Sequence, residues 1–438
     1  MPLQTWAKAQ NFSGKLVLTW NSHGGGGLMH TREDFEKILK PTGARLGTHL
    51  TVEGSVRTNS KEVRNWRIAT AFLPSDRRTA MRLGLRLACS LSLACCLGSA
   101  WSMPPVTIVD QGSFAAGGTV IEAKSAYDPY HPKAEAQTLH GDHAIVSYQV
   151  PSQARALPLV FLHGAGQSSK TWDTTPDGRD GFKNIFLADG YPIYLVDQPR
   201  RGNAGRSTVA GQIPAAPDKG FFFGQFRMGL WPKFNTGSAF PQDAKSLDQF
   251  FRQMTPNTAP YDAKVNADAL SSVFEKTGDA IFVRHSQGCG IDWLISMQSD
   301  RVKGIVAYEP GSGFPFTKSE VSVPIKNADF FGNMKAEEVS MEAFLKLTRF
   351  PIVIFYGDYI PKAPTTHPHN DYWRAASEMA DLFAAAVNRH GGDAKVIRLP
   401  DIGIHGNSHF PFAEKNNQEV AKVFKKWLGE KKLDSRRK

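Results

Sequence analysis

The stretch that most constrains this chain is residues 279–290, Asp-Ala-Ile-Phe-Val-Arg-His-Ser-Gln-Gly-Cys-Gly. The apolar run Ala280 to Val283 reads as a buried β-strand, and Ile291 to Ile295 as a buried helix. Between them the chain must turn sharply, with Ser286 at the apex. Strand, tight turn and helix in this order hold a serine side chain clear of the sheet, as a nucleophile requires. Backbone and helix approach closely there, so small residues are needed, and Gly288 and Gly290 supply them. Arg284 stands where such turns ordinarily carry glycine, two residues before the serine. Cys289 reads as a small buried packing residue.

The rest of the chain alternates in the same way. Continuous apolar runs at Leu159–Leu162, Tyr191–Val196, Gly304–Tyr308, Phe350–Tyr356 and Ala394–Leu399 predict buried parallel strands. Helices are expected over Gly181–Ala188, Ala263–Lys276, Tyr372–Asn388 and Val420–Leu428. This pattern predicts an α/β fold with a mostly parallel, doubly wound sheet. Thr119–Ala123 and Ala144–Val150 suit antiparallel strands that open it. Two stretches break the alternation, about 206–260 and 312–348. The first carries Phe221, Phe222, Phe223, Phe226, Trp231, Phe234 and Phe240; the second carries Phe314, Phe316, Phe330 and Phe331. Both read as caps over a site, with apolar side chains suited to an acyl or aromatic group.

Acyl transfer by a serine needs a base to take its proton and an acid to orient that base. Open α/β sheets carry such groups at the carboxyl ends of parallel strands. Two acids qualify: Glu309 ends the strand after the serine strand, and Asp358 follows Gly357 after the next one. Glu309 is preferred, with Asp358 in reserve. Two histidines compete in the loop His405-Gly406-Asn407-Ser408-His409. His409 is preferred, and His405 is assigned to shaping the loop. The order serine, acid, histidine is the one expected when the serine sits on such a turn. His163-Gly164-Ala165-Gly166 ends a strand with small residues, so the Ala165 and Gln287 N–H groups are candidate donors to a developing oxyanion. Residues 167–179 form a long polar loop of the kind that carries function.

Taken together, His163-Gly164, the Thr171–Arg179 loop, His285-Ser286-Gln287-Gly288, Tyr308-Glu309-Pro310 and His405 to His409 resemble one family. It is a subgroup of exported bacterial serine esterases in the α/β-hydrolase superfamily. The resemblance spans roughly residues 110–430. It implies the α/β-hydrolase fold, a Ser–His–Glu triad at Ser286, His409 and Glu309, and oxyanion donors at Ala165 and Gln287. It also implies a small-molecule ester substrate. Members can carry adjacent cysteines after the His-Gly pair. Here those places hold Ala165-Gly166, so a vicinal disulfide is impossible and substrate preference does not carry over.

The formal charge of +11 raises a nucleic-acid reading, and its distribution removes it. Residues 1–80 hold twelve Lys/Arg against six Asp/Glu, and Arg82 and Arg86 add two more positive charges, leaving +3 for the remainder. Much of that lies in a basic tail, residues 431–438, expected to be a solvated end. A nucleic-acid partner is therefore not expected. No dinucleotide fingerprint, phosphate loop or metal-ligand spacing stands in the sequence, and no cofactor is expected. His367-Pro368-His369 reads as loop surface.

Residues 81–102 look like a signal peptide placed internally. Met81 to Arg86 is a positive start, Leu87 to Leu97 an apolar segment too short to span a bilayer, and Gly98-Ser99-Ala100 a small-residue cleavage site. The expectation is that Met81 is the true start and that the protein is exported. Residues 1–80, with the glycine run Gly24 to Gly27, are then a non-native or disordered extension. Cys89, Cys95 and Cys96 fall in the signal-like segment, so the mature part keeps only Cys289 and forms no internal disulfide.

Overall fold

The computed structural model describes residues 105–124, 130, 136–320, 324–328 and 332–437, together with four short strands nearer the N-terminus. The chain divides into two compact units, Met1–Ser102 and Met103–Lys438. In the first, Leu16–Val17 pairs in parallel with Arg45–Leu46, and Trp20–His23 with Leu50–Glu53. The signal-like segment with Cys89, Cys95 and Cys96, the glycine run Gly24 to Gly27, and Phe330 and Phe331 lie outside the described residues.

The second unit is built on one eight-stranded sheet. Its strands are β1 (Ile108–Ala116), β2 (Ala144–Pro151), β3 (Leu159–Leu162), β4 (Ile193–Asp197), β5 (Ala280–His285), β6 (Val302–Tyr308), β7 (Pro351–Tyr356) and β8 (Asp393–Arg398). The spatial order is β1-β2-β4-β3-β5-β6-β7-β8. β2 runs antiparallel to both β1 and β4, and every other pairing is parallel. β3 and β5 are buried at every position, as expected of central strands covered on both faces. β1 is largely exposed along its length, as an edge strand can be.

Outside the two insertions the α-helices among the described residues are α1 (Phe182–Ala188), α2 (Ala263–Thr277), α3 (Gln287–Gln298), α4 (Pro368–Arg389) and α5 (Asn417–Glu430). The Asp262 side chain accepts from Val265 N–H and caps α2. β5, β6, β7 and β8 are parallel neighbours, so the loops after them open on one edge of the sheet. That edge is where the candidate residues were expected.

Three expectations change. The run Thr119–Lys124 pairs with Ala136–Gly141 outside the main sheet, because Gly117 and Gly118, at φ 64° and 98°, turn the chain away. His367-Pro368-His369 is a helix start rather than loop surface. His367 caps α4, its Nδ1 accepting from Asn370 N–H at 3.4 Å, and Pro368 sits where proline favours a first turn. The basic tail is docked rather than solvated: Ala156 N–H donates to Ser435 O at 2.8 Å, Arg437 N–H donates to Ala154 O at 3.0 Å, and Leu433 is buried.

Residues 206–260 hold two short helices, Lys219–Gln225 and Ala244–Arg252, and a small hairpin. Phe223, Phe226, Phe240 and Phe250 from this stretch are buried. Phe226 and Phe250 both pack against Phe410 of the histidine loop, with ring centroids 4.9 and 5.0 Å apart. In the second insertion Pro315–Thr317 pairs in parallel with Glu337–Val339. Among the described residues no helix is long and apolar enough to cross a membrane.

Candidate active site

Ser286 lies between β5 and α3 with φ 53° and ψ −120°, a backbone conformation that costs a non-glycine residue energy. Its own N–H donates to Tyr308 O at 2.9 Å, and its carbonyl accepts from Cys289 N–H at 2.9 Å. The turn is tight enough that a Cβ on Gly164 would stand 2.8 Å from Ser286 Cβ and 2.7 Å from His285 Nδ1. A Cβ on Gly288 would stand 2.7 Å from His163 O. Both positions require glycine.

Arg284, the departure noted in the sequence, is fully buried at the end of β5. Its guanidinium lies 3.9 Å from the ring centroid of Trp293 on α3. Strand and helix therefore sandwich a planar cation where a glycine would leave only backbone. Cys289 is buried at the start of the same helix, as expected.

The preferred acid and base meet. His409 Nδ1 stands 3.3 Å from Glu309 Oε2, and both side chains are fully buried. Glu309 also takes a positive φ, 56°, at the end of β6, and its N–H donates to Phe355 O of β7. The other carboxylate oxygen accepts from Arg227 Nη2 at 2.8 Å and from Gly357 N–H at 2.5 Å. With Oε1 so held, Oε2 is left facing the imidazole. His409 Nε2 is buried and has no hydrogen-bond partner among the described residues. It is the nitrogen that a serine hydroxyl would use, and such contacts often tighten only when substrate binds.

His409 is caged by aromatic rings. Phe226 stacks on His409 at 5.4 Å and 12°, and Trp373 lies against it at 4.3 Å. His409 N–H donates to Phe226 O at 3.0 Å, while His285 Nε2, next to the serine, bonds His409 O at 2.9 Å. Burial holds the His409 imidazole well below its usual range, and the nearby Arg227 cation adds to this. The neutral form, the one able to accept a proton, is thereby favoured.

The reserve residues pair with each other. His405 Nδ1 is 3.6 Å from Asp358 Oδ2, and the His405 side chain is exposed. Asp358 also accepts from Tyr359 and Gly406 N–H groups, which makes it a loop brace. Ala165 follows Gly164 on the loop leaving β3, and Gln287 opens α3, where helix geometry leaves an N–H without an intrahelical acceptor. The polar loop 167–179 is a brace in part: Trp172 is buried against Phe412 with centroids 4.1 Å apart, and Arg179 Nη1 donates to Asn417 Oδ1.

Two residues escaped the sequence reading. Arg227 sits within the aromatic-rich insertion and contacts Glu309 across 82 positions of chain, a pairing with no local signal. Glu414 is fully buried under the histidine loop. It accepts from Ser408 N–H and Asn407 Nδ2, and burial pushes its carboxyl up to about 7.

Burial also lowers His163, to about 4, and lowers His285 well below 6.5. For His163, His285 and His409 the unfolded chain takes up protons first as pH falls below about 6.5, so their stability contribution is present above that pH and lost below it. Glu414 acts in the opposite sense between about 7 and 4.5, but it is one group against three. The urea midpoint of unfolding is therefore expected to be lower at pH 5.5 than at pH 7.5. An equal or higher midpoint would show that the three rings are not buried as neutral groups.

An eight-stranded, mostly parallel sheet flanked by helices, with a serine on a strained strand-to-helix turn, is the α/β-hydrolase fold. No family model matches it. Over 324 residues it is 27% identical to the probable secreted lipase phiG of Fungal sp. (strain ATCC 74256), covering 65% of this chain and 85% of that protein. It is similar to the solved structure of a bacterial esterase at 25% identity and TM-score 0.60, covering 75% of this chain and 98% of that one.

Proposed function

We propose that this α/β-hydrolase cleaves carboxylic esters through an acyl-enzyme, with Ser286 as nucleophile, His409 as base and Glu309 as the acid that orients it. Ser286 Oγ attacks the ester carbonyl while His409 Nε2 takes its proton. The same nitrogen returns the proton to the departing alcohol. Water then repeats the sequence and releases the acid. The Ala165 and Gln287 N–H groups receive the oxyanion. The observation that carries this reading is the buried His409–Glu309 pair, its Nε2 unpartnered among the described residues and on the same loop edge as Ser286. Likeness to an esterase and to a lipase supports the ester class.

Apolar side chains stand beside the oxyanion loop. A Cβ on Gly166 would meet Met254 Cε at 2.8 Å and Phe222 Cζ at 3.6 Å. This favours a short apolar acyl group over a charged one. A panel of p-nitrophenyl esters, the matching anilides and a simple lactone tests the class. Turnover of acetate to hexanoate esters at least about a hundred-fold above the anilides is expected, since the amine is a much poorer leaving group. Anilide or lactone turnover exceeding that of every ester would overturn the ester assignment.

We further propose that the chain is exported and that Met81 begins its signal peptide. The secreted character of the fungal relative supports export.

A further inference from the structure

Arg201 lies in the loop after β4, outside the residues assigned above, and is buried. Its Nη1 donates to Gly164 O at 2.8 Å, and its Nη2 donates to Gln287 Oε1 at 3.2 Å. One guanidinium thus touches both residues that flank the candidate oxyanion site. Asn257 Oδ1 accepts from its Nε at 2.7 Å and also from Nη2, which fixes the fork from behind.

The Gly164 carbonyl and the Ala165 N–H belong to one planar peptide unit and point in opposite directions. A donor that fixes the carbonyl therefore fixes the N–H. Gly164 O also faces His163 Nδ1 at 3.1 Å and Gln167 N–H at 3.3 Å. His163 Nε2 accepts from Gln198 N–H, which leaves the ring proton on Nδ1, directed at Gly164 O. Three donors thus converge on one carbonyl, and one of them carries a charge. Charge-assisted bonds are the strong ones, and donation to a carbonyl polarises its amide so that the N–H becomes a better donor. Burial brings the Arg201 guanidinium down to about 10, so the side chain stays cationic at neutral pH.

We infer that Arg201 is the positioning residue of the oxyanion hole, aiming and polarising the Gly164–Ala165 peptide toward the charge that develops on the substrate carbonyl. The inference rests on the serine-hydrolase reading and adds to it. Arg201 acts on the two donor residues, through the Gly164–Ala165 peptide and the Gln287 side chain, and not on the substrate directly. Its effect therefore falls on the transition state and not on ground-state binding.

The test compares wild type, Arg201→Met, Arg201→Lys, Asn257→Ala and Ser286→Ala on p-nitrophenyl butyrate. Active sites are counted by complete phosphonylation, and Ki is measured for an alkyl trifluoromethyl ketone. Ser286 adds to that ketone and leaves an oxyanion in the hole. Arg201→Met is expected to lose about 10- to 100-fold in kcat per site, less than a direct donor is worth. Its KM should stay within about threefold, and its ketone Ki should rise in step with the loss of kcat/KM. Arg201→Lys, which keeps the cation and one donor, should recover part of both. If Arg201→Met does not fold, Asn257→Ala decides, with ketone Ki expected to rise several-fold at unchanged KM. Wild-type kcat per site, a loss confined to KM, or unchanged ketone affinity in the folded variants would overturn the role of Arg201. Full turnover by Ser286→Ala would instead overturn the serine reading beneath it.

Discussion

Ser286→Ala is expected to lower kcat by about a million-fold, the scale reached when a serine nucleophile is removed from a site of this kind. The substitution deletes one oxygen. Alanine bears the φ of 53° no worse than serine, so the strained turn is retained. The Oγ donates no hydrogen bond to His409, whose Nε2 has no partner among the described residues, so its loss leaves no buried group newly unpaired. Melting temperature should therefore stay close to that of wild type while turnover disappears. Purified variant and wild type, compared by thermal melt and by p-nitrophenyl butyrate hydrolysis, give both readouts together. Retained turnover would remove Ser286 from the mechanism.

Glu309→Gln is expected to cost about ten-thousand-fold in kcat, because an amide facing Nδ1 can donate to it and so favour the wrong imidazole tautomer. It should also destabilise the protein. Arg227 is fully buried and its Nη2 is bound to this carboxylate at 2.8 Å, so the substitution leaves a buried cation without its counter-charge. Breaking such a pair costs about 3–5 kcal/mol. Asp358→Asn provides the contrast. Asp358 pairs with the exposed His405 and braces backbone N–H groups, so its loss should leave kcat within about threefold. Kinetics and urea unfolding on the two variants separate these outcomes. A deeper kcat loss in Asp358→Asn than in Glu309→Gln would transfer the acid's role to Asp358.

Much of this was legible along the chain because it is local. A run of apolar residues before Ser286 and small residues after it specify strand, turn and helix within twelve positions. Glu309 and the histidine loop could be placed because each follows an apolar strand, and parallel strands end on one edge. Asp358 could not be set aside by pattern alone. It too follows an apolar strand, and its capture by His405, Tyr359 and Gly406 separates it from His409.

What the sequence hid were partners joined across long intervals. Arg227 and Arg201 lie in irregular segments without periodicity, and each meets its carbonyl or carboxylate through the tertiary fold. Arg284 looked like a fault in the motif because pattern reading expects glycine there. The Trp293 face that receives it is visible only when α3 is packed on β5. The aromatic insertion was read as a cap, and Phe226 does close over His409. Yet Phe223, Phe240 and Phe250 belong to the core as much as to any cover. The histidines of 367–369 failed as loop surface because proline at a first helical turn extends α4 backward.

The most direct measurement is the intact mass of the folded protein after reaction with a fluorophosphonate, followed by peptide mapping of the adduct. One phosphonyl group per chain, located on Ser286 and absent from Ser286→Ala, is the expected result. No adduct on folded wild type, or an adduct on another residue, would contradict the assignment of Ser286 as the armed nucleophile.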